Sequence, residues 1–112
     1  MLNKELTAAT VKPAVLAILA ERESYGYEII KKVQELSDDE IKWAEGALYP
    51  MLHRLERQRL IKAVWKTAEN GRKRKYYRLN VKGKRELDLL RDQWSAASNL
   101  LDKLWGPKPC LN

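Results

Sequence analysis

The chain has 112 residues, 45% of them hydrophobic, which is the size and composition of one globular domain and excludes an extended disordered polymer. Lys and Arg number 22 against 15 Asp and Glu, and the net charge of +7 favours polyanionic partners, either nucleic acid or an anionic membrane surface. The longest apolar run, Ala14 to Ala20, is too short to span a bilayer, the residues before it lack a signal-peptide layout, and the lone Cys110 can form no internal disulfide; together these favour a cytoplasmic, reducing location.

In chain order, Val11, Val15, Leu16, Ile18 and Leu19 predict a strongly apolar first helix starting near Thr10, because Pro13, which has no N–H, fits best in a first turn. Ser24 is suited to cap a second helix, in which Ile29, Ile30, Val33 and Leu36 recur on one face until the acidic stretch Ser37 to Glu40 interrupts it. A third helix is predicted from Glu45 to Gln58, where Leu48, Met51, Leu52 and Leu55 follow the i, i+3, i+4, i+7 rule. Its other face is polar: Gly46, Pro50, His53 and Arg57 share it, flanked by Tyr49 and Arg54.

Ile61 to Lys66 then reads as a strand, Asn70-Gly71 as a hairpin turn within a long basic loop, and Tyr76 to Leu79 as the return strand. Asn80 can cap a last helix carrying Leu87, Leu90, Trp94, Ala97, Leu101 and Leu104, which Gly106-Pro107 stops. These six residues keep alternating three- and four-residue steps, the pattern of a coiled-coil seam. About 25 helical residues extend roughly 37 Å, longer than a small winged-helix body needs to cover it, so part of the seam is expected to meet another chain. The first-helix residues Val11 and Val15 are expected to contribute to the same homodimer interface.

Three short helices followed by a hairpin is the order of a winged helix-turn-helix, whose third helix can enter the major groove of DNA. The positive charge is unevenly placed: from Lys62 to Arg85 ten basic residues face one acid, Glu69, and Arg72, Lys73, Arg74 and Lys75 sit directly after the turn. A basic hairpin tip at that place can reach phosphates or a minor groove beside an inserted helix.

Four segments, Ser24-Tyr-Gly-Tyr-Glu-Ile29, Gly46-Ala-Leu-Tyr-Pro50, Leu52-His-Arg-Leu-Glu56 and Gly71-Arg-Lys-Arg-Lys-Tyr-Tyr-Arg-Leu79, resemble the successive signatures of the PadR family of transcriptional regulators, in family order. The likeness covers about residues 10 to 105 and is to the shorter subgroup with a single C-terminal helix. It implies a mainly α fold with a two-stranded β-wing, divided into a winged-helix DNA-binding domain at 1–80, a dimerisation helix at 81–106 and a short tail at 107–112. It also implies a homodimeric repressor on a palindromic double-stranded operator, with Tyr25, Gly46, Ala47, Tyr49, Pro50, His53, Arg54, Arg57, Arg72, Lys73, Arg74 and Lys75 at the DNA. Two positions depart from the family pattern. Arg59 stands where the turn before Leu60 commonly carries glycine, and Asn80 stands where threonine commonly opens the last helix, a change that keeps the capping chemistry.

In multidrug-responsive regulators of this type the matching part of the C-terminal helix offers paired tryptophans to flat aromatic compounds. Trp94 and the small Ala97 are accordingly the candidate effector pocket, against the plainer reading of a packed interface. An enzyme lacks the necessary constellation here: His53 is the single histidine, Cys110 the single cysteine, and there is no phosphate-binding glycine loop, no metal-ligand spacing and no cofactor motif. The competing class is an RNA-binding or protein-interaction winged helix without ligand sensing, to be separated by whether duplex DNA or structured RNA binds more tightly. A membrane-surface helix is disfavoured, because the charges cluster on the hairpin rather than opposite an apolar helical face.

Overall fold

The computed structural model describes residues 2–106; the tail at 107–112, with Pro107 and Cys110, lies outside the described residues. Helix α1 (Lys4–Glu21) leads through a two-residue strand β1 (Ser24–Tyr25) into α2 (Gly26–Leu36) and α3 (Glu45–Arg57). The hairpin β2 (Ile61–Thr67) and β3 (Lys73–Leu79) follows, and α4 (Val81–Trp105) closes the chain.

The first helix begins six residues before Thr10, because Asn3 caps it: its side-chain oxygen accepts from the Leu6 N–H at 2.9 Å. Pro13 therefore lies in the helix interior, where it withdraws one backbone donor. Ser24 does not cap α2 either. It sits in β1, opposite Tyr77, fully buried with its hydroxyl 2.5 Å from the Glu28 carboxylate, and Tyr25 occupies the N-cap without a side-chain bond. Beyond α2, Asp38 and Asp39 both adopt left-handed backbone (φ 50° and 66°), a conformation that aspartate tolerates better than most residues, and so reverse the chain towards α3.

The sheet has three strands in the order β1-β3-β2, all antiparallel, rather than the hairpin alone. The return strand starts at Lys73, three residues before the tyrosine pair that marks it in the sequence, so most of the basic cluster is strand and only Arg72 stays in the turn. That turn is closed by Ala68 N–H to Arg72 C=O at 2.7 Å and by Asn70 Oδ1 accepting from Arg72 N–H at 3.0 Å, with Gly71 at φ 83°. Arg59 takes φ 62°, so the turn commonly given to glycine is kept here by a residue that pays steric strain for it. Asn80 holds the N-cap position of α4, but its side chain makes no cap bond: its amide donates to the Arg59 carbonyl at 3.0 Å, bracing that strained turn.

One core joins α1, α2, α3, the sheet and the start of α4. Val15, Leu16, Ile29, Leu48, Leu52, Leu55, Ile61 and Tyr77 have almost no exposed surface. The base of α4 is seated by Gly83, where an added Cβ would collide with the Leu60 carbonyl oxygen. Lys12 pairs with Glu86 at 2.6 Å to tie α1 to α4. From Arg91 to Trp105 every residue of α4 is exposed, an overhang of about 22 Å that gives the molecule its long axis of 52 Å.

Candidate nucleic-acid interface

Helix α3 is amphipathic as expected: Leu48, Leu52 and Leu55 are buried, while Gly46, Ala47, Pro50, His53, Arg54 and Arg57 are exposed on the opposite side. Glu45 lies in the first turn and Arg54 and Arg57 in the last, each sign matching the helix dipole. Tyr49 differs from its neighbours. It is half-buried against the core, and its hydroxyl stands 2.5 Å from where a Cβ on Gly26 would be, so the α2–α3 crossing is close only because residue 26 has no side chain. This contact fixes the angle at which α3 is presented.

The hairpin presents two chemically different faces, set by its register. Ala63↔Tyr77, Trp65↔Lys75 and Thr67↔Lys73 share the face that looks towards α3, and Lys62↔Arg78, Val64↔Tyr76 and Lys66↔Arg74 share the other. On the α3 side, Tyr77 is buried, and burial pushes its hydroxyl pKa up, against the opposing pull of Lys75. The Lys75 ammonium lies 5.5 Å from the Tyr77 ring centre and 3.8 Å from the Glu56 carboxylate on α3, so this cation is directed inward.

On the far side, Arg74 lies 4.1 Å over the Tyr25 ring, Tyr25 meets Tyr76 edge-on at 5.3 Å, and Lys66 stands 5.1 Å from the Tyr76 ring centre. The Glu23 carboxylate takes both Lys66 and Arg78, the latter at 3.5 Å. Lys66 chiefly, and Arg78 with it, hold the Glu23 pKa below its ordinary value. Of the four wing cations read from the sequence, Arg72 and Lys73 are exposed, whereas Arg74 and Lys75 are already engaged by aromatic rings and a carboxylate.

An open cleft of about 490 Å³ separates α3 from the wing, and Tyr49, His53, Lys73 and Lys75 line it together with Tyr25 and Arg74. The structure thus brings Tyr49 and His53 of α3 to the wing, whereas Gly46, Pro50, Arg54 and Arg57 lie outside this cleft and Ala47 borders a separate groove beside α1. Sequence reasoning passed over Trp65 on the same cleft; its 64% exposure on a strand was the signal, legible only once the strand's two faces are assigned.

The seam residues divide. Val11, Val15 and Leu87 are in the chain's own core, at most 5% exposed, and so have almost no surface to give a partner. Leu90 is half-buried at the core's edge, and Trp94, Ala97, Leu101 and Leu104 are exposed along the overhang. Trp94 and Leu90 border an apolar groove of about 320 Å³ between α1 and α4, with Pro13, Ala14 and Ala17 opposite, and Trp94 and Ala97 form a second hollow with Gln93. Among the described residues no helix is long and apolar enough to cross a membrane, and no group of His, Cys, Asp and Glu is placed to hold a metal ion.

Residues 15–89 match the PadR-like family of transcriptional regulators. The chain belongs to that family. It is 34% identical to a PadR family transcriptional regulator of Eggerthella lenta over 93% of this chain and 88% of that one, with a TM-score of 0.76. A transcriptional regulator from Clostridium thermocellum superposes with a TM-score of 0.85 at 27% identity, covering 94% and 99% of the two chains. A PadR-like regulator of Bacillus cereus gives 0.80 at 28%, covering 94% and 100%. An uncharacterised protein of Lysinibacillus sphaericus is 28% identical over 102 residues, 91% of this chain and 94% of that one. The chain is therefore a PadR-like transcriptional regulator with the winged-helix fold, from a family whose members regulate through DNA rather than by catalysis.

Proposed function

We propose that this PadR-like protein is a cytoplasmic repressor that binds a palindromic double-stranded operator as a homodimer, with residues 1–80 as the DNA-binding body and 81–106 as the dimerisation helix. The observation that carries the reading is the cleft where His53 on α3 faces the exposed wing cation Lys73, together with an α4 overhang that leaves Trp94, Leu101 and Leu104 exposed. In use, α3 lies in the major groove, where His53, Arg54 and Arg57 meet base edges or phosphates, and Gly46, Ala47 and Pro50 allow the helix start to approach the backbone closely. Tyr25 and Arg74 then act as the support that holds the wing rather than as free contacts, and Lys75 is restrained by its ion pair with Glu56.

Two such bodies joined by α4 read two half-sites related by the dimer's two-fold axis. The apolar groove beside Trp94 and Ala97 supports a planar aromatic effector, stacked on indole and releasing the operator by shifting the dimer's geometry. The test is selection of bound fragments from the source genome by the full-length chain and by a chain ending at Leu90. A two-fold symmetric duplex site, lost along with the dimer on truncation, is the expected outcome. Preferential capture of structured RNA, or equal operator binding by a monomeric truncation, would reject the proposal.

A further inference from the structure

We infer that Trp65 is a DNA-backbone contact, the apolar partner to Lys73 on the wing; the inference rests on the DNA-binding reading above. Away from α1, α4 and the end of α2, two large hydrophobic side chains are strongly exposed among the described residues, Tyr27 and Trp65, and both line the cleft between α3 and the wing. An indole left 64% exposed at a strand centre forgoes the largest burial energy any side chain offers, so its position calls for a surface that covers it.

The register says which surface. Trp65 stands opposite Lys75 on the α3-facing side of the hairpin, and Lys75 is turned inward over Tyr77 and towards Glu56. Trp65 is therefore the outward group at that level of the wing, with Lys73 one step further towards the turn and His53 across the cleft on α3. A duplex with α3 in its groove runs the bordering sugar–phosphate strand along this cleft. Indole suits that strand: its flat apolar face covers a deoxyribose while its N–H donates to a phosphate oxygen, a positioning contact that carries no base preference. It is a neutral group, so it displaces no counterion, and its contribution differs in kind from that of Lys73.

The experiment measures affinity of the full-length wild type, Trp65→Ala, Trp65→Phe and Lys73→Ala for a random-sequence duplex of about 30 base pairs, some three helical turns, across a range of salt. Trp65→Ala should bind about five- to twentyfold more weakly with an unchanged salt slope, as expected for loss of an apolar contact and one hydrogen bond to a charged acceptor. Trp65→Phe should fall between it and wild type, and Lys73→Ala should flatten the slope by up to about one unit. The difference in emission between wild type and Trp65→Phe, which isolates Trp65 from Trp43, Trp94 and Trp105, should shift on saturation with duplex. If Trp65→Ala binds as tightly as wild type while Lys73→Ala weakens, or if the Trp65 emission ignores bound duplex, Trp65 is no contact and the DNA reading stands. If wild type binds no duplex at all, both fail.

Discussion

The two ends of this molecule solve the problem of burying apolar surface in opposite ways. In the winged-helix body, Leu16, Ile29, Leu48, Leu52 and Leu55 come from three different helices and leave no surface to solvent; along the outer part of α4, Trp94, Leu101, Leu104 and Trp105 stand 39–73% exposed. The amphipathic period of α2 and α3 in the body recurs along α4. What differs is the number of neighbouring elements within reach: the body surrounds its helices, and the overhang has α1 alone beside it, as far as Trp94. An amphipathic pattern therefore reports that a face is to be covered, and only the geometry says by what.

The contrast is sharpest in a matched pair of truncations. Leu52→Ala should destabilise the fold by about 2 to 5 kcal/mol, because the side chain is fully buried and its neighbours cannot collapse into the space. Leu104→Ala, at 73% exposure, should leave stability within about 0.5 kcal/mol when the chain is dilute enough to be monomeric, and should show its effect in self-association instead. Urea midpoints over a range of protein concentrations, alongside sedimentation, measure both. Equal, concentration-independent losses would mean that the overhang packs on its own chain.

The junction of the two regions is the next place to press. Gly83 seats the base of α4 on the body, and a methyl group there meets the Leu60 carbonyl, which is itself fixed by accepting from the Asn80 N–H at 2.9 Å, and the Leu79 side chain. Gly83→Ala should cost about 1 to 3 kcal/mol despite the better helix propensity of alanine. Gly46→Ala is the counterpart, since no atom lies within 4 Å of the added carbon; it should leave the fold as stable or up to about 1 kcal/mol more so. Thermal midpoints of the two variants that move together would show that α4 is not seated as described.

Element order, the core face of α3 and that of α2 as far as Val33 were legible in the sequence, because each follows from period 3.6 and strong turn residues; Leu36, read on the α2 face, is instead 74% exposed, and the α4 seam is buried at Leu87 and exposed only beyond Leu90. The misses share a cause: they depend on groups distant in the chain. Ser24 has the chemistry of a cap, yet it is drawn into a strand by Tyr77, 53 positions on, and Asn80 gives its amide to the Arg59 carbonyl rather than to its own helix. Val11 and Val15 lie on the apolar stripe of α1, and sequence could not say whether that stripe meets the same chain or another; the structure spends them within. Pro13 biased the start of α1, while the decisive residue, Asn3, lay ten positions upstream. For the interface, composition located the positive patch but did not divide it. The division follows from strand alternation, once the true start of β3 at Lys73 is known.

That division makes Glu56 a brake on the wing. Its carboxylate holds Lys75 at 3.8 Å in a partly exposed pair, so Glu56→Gln should release the cation and remove a like charge from the DNA side. Duplex affinity at low salt should tighten by about two- to threefold, with the gain vanishing as salt rises. A titration in which Glu56→Gln binds no better than wild type at any salt would show that Lys75 already reaches the phosphates.

The smallest effect separates charge from packing at the root of the wing. Glu23 precedes β1 and joins Lys66 on β2 to Arg78 on β3, so one carboxylate ties the strand order together from outside. Its pKa is lowered chiefly by the hydrogen bond from Lys66; desolvation opposes this, and the charges of Lys66 and then Arg78 add further, lesser pulls downward. A carboxylate whose pKa is lower folded than unfolded binds fewer protons in the native state, so its stabilising contribution is complete above the ordinary value of 4.5 and fades as pH falls through the lower folded value. Glu23→Gln should therefore be less stable than wild type at neutral pH, modestly so for a solvent-facing pair, and the two should converge in acid. Urea midpoints of both proteins at neutral pH and well below pH 4.5 give the answer. Convergence assigns the effect to charge; a gap that persists in acid assigns it to the side chain's packing against the hairpin, and the wing's outer face would then be held by contact rather than by its ion pairs.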